Sequence, residues 1–150
     1  MRLPIIAAAF SMILATPLHA DAGVILNRAV FVERNDGAPN ARRTIEPANI
    51  LNRGDNVVLV LDWRTQHQSD GFVLTSPIPD TLKFQRSSRD YQEVSVNGGK
   101  NWGQIGQLRI AQGGGWRYAT PEDVTHIRWR IPANKATRGS GRVTFRALVR

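Results

Sequence analysis

The 150-residue chain contains no cysteine, so disulfides and a lipid-modified cysteine anchor are both excluded. Histidine is nearly missing after residue 20, where only His67 and His126 occur. No apolar run beyond residue 20 approaches the roughly 17–25 residues that a membrane-spanning helix needs. Nor does any later segment show a long apolar period of 3.6 residues, the mark of an amphipathic helix. Acids are absent from the end of the chain. Residues 124–150 carry Arg128, Arg130, Lys135, Arg138, Arg142, Arg146 and Arg150 with no Asp or Glu, whereas residues 21–123 balance 12 basic against 12 acidic residues. Such asymmetry points towards an anionic partner.

The N-terminus supplies what the rest lacks. Arg2 gives a positive start, Leu3 to Leu18 is largely apolar, and Pro17 precedes small residues. That is the layout of a secretory signal peptide over residues 1–20, with cleavage expected after Ala20, or alternatively after Ala22. A retained anchor is the other reading of this stretch. Removal of Arg2 with the leader leaves a net charge of +8 − 1 = +7, equal to the seven basic residues of the last segment. The expected product is exported to the periplasm or beyond, without a membrane span. One domain is expected over residues 21–150, and about 130 residues bury enough surface to fold without crosslinks.

Short strands and turns fill that domain. The stretch Glu93 to Gly103 reads as a β-hairpin: Val94 and Val96 alternate with polar residues, and Asn97-Gly98-Gly99 accept the positive φ of a tight turn. Trp102 stands just past the turn, placed to fold back over it. Val57, Leu59, Leu61 and Trp63 share one parity of Asn56–Arg64 while Val58 and Val60 make the other partly apolar, as in a central strand. Further strands are expected at Val24–Glu33, Arg42–Glu46, Gly71–Thr75, Leu82–Gln85, Leu108–Ile110, Val124–Ile131 and Arg142–Arg150. Asn35-Asp36-Gly37 with Pro39-Asn40, and Asn52 to Asp55, are turn chemistry. Thr120-Pro121-Glu122-Asp123 reads as one capped helical turn. This spacing predicts an all-β fold, an antiparallel β-sandwich.

The segments from Asn56 onward resemble the conserved-repeat family named domain of unknown function 11, modules of bacterial envelope proteins. The resemblance is carried by Gly54-Asp55 before the long strand and by Ser76-Pro77-Ile78-Pro79 with Leu82-Lys83-Phe84. Val94-Ser95-Val96-Asn97-Gly98-Gly99-Lys100, Thr120 to Trp129, and Gly139-Ser140-Gly141 before Val143-Thr144-Phe145-Arg146 complete it. It implies an immunoglobulin-like sandwich with a binding or structural role in the envelope, and no common activity. Ser95 to Trp102 is also similar to the Asp-box of sialidases and related propellers, which implies a folding element of a hairpin and no substrate chemistry.

Catalysis and cofactor binding find little support. His126 alternates with Arg128 and Arg130, His67 lies in a polar stretch, and Asp62, Asp70, Asp90 and Glu93 are scattered, so no acid–base constellation is visible. Neither paired histidines nor a calcium loop occurs, and no cofactor motif is present. Gly113-Gly114-Gly115 lacks the strand-to-helix setting of a phosphate loop and reads as a flexible loop. An envelope hydrolase would need His67 or His126 brought to an acid. The leading site is basic instead. If Val124–Ile131 and Arg142–Arg150 are neighbours, then His126, Arg128, Arg130, Arg142 and Arg146 share an outer face, with Lys135 and Arg138 in the connection. Such a face suits an anionic envelope polymer, and the alternative is a merely solvated face. Trp102 and Trp116 flank glycine-rich turns, either as sugar-stacking platforms or as covers for the core edge. An envelope protein is the other candidate partner.

Overall fold

The structure is a computed structural model that describes residues 23–34, 43–66, 70–88, 92–137 and 139–150. The signal-peptide reading, the turn at Asn35–Asn40, and His67, Asp90 and Arg138 lie outside the described residues. Among the described residues ten strands follow in order: β1 (Val24–Arg34), β2 (Thr44–Pro47), β3 (Asn56–Thr65), β4 (Gly71–Pro77) and β5 (Leu82–Ser87) come first. Next are β6 (Gln92–Ser95), β7 (Arg109–Gln112), β8 (Gly115–Tyr118), β9 (His126–Pro132) and β10 (Ser140–Val149). A single helical turn, α1 (Ala133–Ala136), joins the last two.

Every pairing among the described residues is antiparallel. A five-stranded sheet runs β2-β1-β3-β10-β5, a three-stranded sheet runs β4-β9-β6, and β7-β8 stands as a separate ribbon. The two larger sheets bury their inner faces against each other, giving the all-β sandwich that the strand pattern predicts. Trp129 of β9 lies 6.2 Å from Phe145 of β10, ring to ring, and Trp63 of β3 meets Phe72 of β4 edge-on at 5.1 Å. β3 has a neighbour on each side, which explains its doubly apolar sequence. Val57, Leu59, Leu61 and Trp63 enter the core, while outward Val58 and Val60 are covered across the sheet beside Phe31, Ala29, Thr144 and Arg146.

Two expectations change. The stretch Glu93–Gly103 closes as a loop held by one bridge, Val94 with Gly103, rather than as a ladder of two strands. Its turn is organised by side chains: Ser95 Oγ accepts the Gly99 N–H at 2.9 Å, and Asn97 Oδ1 accepts the Asn101 N–H at 2.9 Å. Gly98 and Gly99 take positive φ there, +74° and +86°. These local bonds use donors that a longer ladder would need. The other change concerns the C-terminal strands. β9 and β10 lie in different sheets, because the connection through α1 crosses the sandwich. In an immunoglobulin domain the last two strands are neighbours in one sheet, so the sandwich is shared and this connection is not.

Candidate functional site

The expected basic face is not assembled. Arg128 and Arg130 lie on β9 and point out from the three-stranded sheet, while Arg142 and Arg146 on β10 point out from the five-stranded one. They therefore face opposite sides of the sandwich. Alternation along a strand assigns a side chain to a face, but it does not choose the sheet. Each of the four also has a carboxylate. Arg128 and Arg130 reach one Glu93 oxygen at 2.7 and 2.9 Å, Arg142 grips Asp62 through two bonds of 2.6 and 2.9 Å, and Arg146 pairs with Glu33. The Arg142 bonds hold the Asp62 carboxyl below its ordinary pKa, and those of Arg128 and Arg130 do the same for Glu93. Lys135 is exposed on α1.

His126 is half-buried, with Nδ1 3.1 Å from the Thr125 hydroxyl and its ring edge-on to Trp102. Burial pushes its pKa below the ordinary imidazole value. Trp102 lies against the turn at Gly99, where a Cβ would stand 3.5 Å from its ring, and the Arg128 guanidinium sits 4.4 Å from its ring centre. Trp102 and His126 thus belong to one packed surface with Arg128. Among the described residues no group of three or more His, Asp or Glu is placed to hold a metal ion.

A concavity of about 880 Å³ opens beside β5, lined in part by Glu33, Arg43, Lys83, Arg86 and Arg146. Its cations are largely engaged: Arg43 and Arg146 with Glu33, and Lys83 with Glu122.

The ribbon β7–β8 is different. Gly113 and Gly114 form its two-residue turn at φ +59° and +81°, as a type I′ hairpin demands, so the triglycine is a tight turn and not a loose loop. Alternation then sorts the ribbon's two faces. Ile110 and Arg117 point inward and are half-buried, and Arg117 grips Asp123 through two bonds of 2.7 Å. Asp123 also accepts the Thr120 N–H at 2.8 Å, closing the expected capped turn at Pro121–Asp123, here a 3₁₀ turn. The Arg117 bonds and those from Thr120 drive the Asp123 carboxyl far below its ordinary pKa. The Ala119 N–H donates to the Leu108 carbonyl at 2.8 Å and fastens the ribbon's base.

The outer face carries Arg109, Ala111, Trp116 and Tyr118, all exposed. Trp116 is 55% and Tyr118 51% open to solvent. Their rings meet edge-on at 5.2 Å and 79°. The Arg109 guanidinium lies 3.9 Å from the Trp116 ring centre and 5.6 Å from that of Tyr118. Among the described residues no carboxylate stands within ion-pair distance of Arg109. Trp116 is visible in the sequence as a residue beside a glycine turn. Arg109 and Tyr118 are missed, although Gly113-Gly114 between Arg-Ile-Ala and Trp-Arg-Tyr is a readable hairpin signal. Comparison with protein-family models, with curated proteins and with solved structures finds no match for the chain.

Proposed function

We propose that this chain is an exported, non-enzymatic β-sandwich module of the bacterial envelope that acts by binding through the outer face of β7–β8. The single observation that carries the binding surface is the exposure of two large aromatic side chains on one face of that ribbon. A ribbon that only needed solubility would keep large aromatics off its open face, whereas here Trp116 and Tyr118 are both turned out, beside Arg109. Export rests on the charged, apolar and small-residue layout of residues 1–20. The envelope role rests on the resemblance to domain of unknown function 11, and the partner is an envelope polymer or an envelope protein.

Two readouts test this. Protein recovered from the periplasm or medium is expected to begin at Asp21 or Gly23 on N-terminal sequencing. Recovery in the cytoplasm with Met1 intact would end the export reading. Retention on purified envelope fractions is expected to fall roughly tenfold or more when Trp116 and Tyr118 both become Ala, the effect of removing two interface anchors. Retention unchanged in that variant, and lost instead when Arg128, Arg130, Arg142 and Arg146 become Ser, would move the function to the arginines.

A further inference from the structure

We infer that the outer face of β7–β8 is a site for a carboxylated sugar, an inference that rests on the binding surface proposed above and names its ligand class. Size argues first. Each strand of the ribbon has four residues, so at about 3.4 Å per residue the face is roughly 14 Å long. A stable protein–protein contact takes about 800 Å² from each partner, which a ribbon of two four-residue strands does not supply by itself. One or two sugar rings match it.

Chemistry argues next. A pyranose ring offers a C–H face that packs on aromatic surface, and Trp116 and Tyr118 are both exposed residues, with Arg109 over the Trp116 ring. Arg109 supplies the charge. Its guanidinium carbon lies over the Trp116 ring, 3.9 Å from the centre, and no carboxylate among the described residues engages its N–H donors. Those donors fit a carboxylate through two parallel bonds. A ligand without an anionic group would cover this arginine and give it nothing to bind, which is unfavourable. Arg109 is set apart from Arg117, Arg128, Arg130, Arg142 and Arg146, each of which is already on a carboxylate of this chain.

The face is also held in place before any ligand arrives. The paired bonds of Arg117 to Asp123 tie the ribbon's inner side to the 3₁₀ turn, and the Gly113-Gly114 turn fixes the register in which Tyr118 stands opposite Arg109. Less order is then lost on binding.

The test is titration of the purified protein with oligogalacturonate, followed by tryptophan fluorescence, with its methyl ester as the uncharged control. The acid is expected to bind roughly tenfold or more tightly than the ester, as one charge-assisted contact implies. Trp116→Ala is expected to abolish binding of both. Arg109→Ala is expected to bring the acid-to-ester ratio close to one while leaving weak stacking. Equal affinity for acid and ester in the wild type, or acid binding that survives Trp116→Ala, would overturn the inference. Retention on envelope fractions that needs Trp116, with no binding of oligogalacturonate, would overturn the ligand class and keep the binding surface. If that retention were also abolished by protease treatment of the fraction, the occupant would be a protein. Retention indifferent to Trp116 would remove the surface itself.

Discussion

A Trp129→Ala chain is expected to lose about 3–5 kcal/mol of folding stability, the usual cost of emptying a large buried aromatic site. Trp129 is fully buried on the middle strand of the three-stranded sheet. Its ring lies against Phe145, which itself tilts against Phe84 at 6.3 Å, so one contact series links β9, β10 and β5 across the sandwich. The indole N–H donates to Ser87 Oγ at 2.9 Å, and truncation also removes that bond. Domains of this size are stable by only about 5–15 kcal/mol, so the change takes a large share. Trp116→Ala, on an open face, is expected to cost about 0.5 kcal/mol or less. Urea unfolding of the two variants reads the difference. Similar midpoints would mean that Trp129 does not join the sheets.

Gly141→Ala is expected to destabilise by about 1–3 kcal/mol for adding a single methyl group. Gly141 is directly opposite Trp63 across β10 and β3. A methyl there would sit 2.6 Å from Cε2 and 2.9 Å from Nε1 of the Trp63 indole, well inside contact distance. The indole cannot simply withdraw, since it is buried and edge-on to Phe72. The cost is steric, because Gly141 does not take positive φ. Gly115→Ala is the matched control: its nearest neighbour is the Gln112 carbonyl at 3.8 Å, and the change should be close to neutral. Trp63→Phe should reduce the penalty at Gly141, and a double-mutant cycle measures that coupling. An undiminished penalty in the Trp63→Phe background would refute the overlap.

These two positions show what was legible in the sequence and what was not. Alternation gives Val57, Leu59, Leu61 and Trp63 one parity and marks the doubly apolar β3 as central, because burial follows a period of two. The capped turn at Thr120–Asp123 was legible because its side chains act within four residues. Long-range partners were not. Arg142 meets Asp62 across 80 positions, and no local pattern reports a strand's neighbour. For the same reason the arginines of β9 and β10 looked like one face until the crossing at α1 separated them. The aromatic ribbon failed differently. Its triglycine reads equally as a loose loop or as a hairpin turn, and the positive φ of Gly113 and Gly114 decides for the tight turn that puts Trp116 and Tyr118 beside Arg109.

The most direct test of the proposed binding surface is oxidation of tryptophan by N-bromosuccinimide, mapped by peptide mass spectrometry, in free protein and in protein held on envelope fractions. In the free protein Trp116 is expected to react first, while Trp63 and Trp129, at 5% and 0% exposure, are shielded. In the retained protein Trp116 should become strongly protected, and Trp102 on the other surface should keep its free-state rate. Trp116 oxidised equally fast when free and when retained would contradict the account, because the retained protein would then be held by some other face.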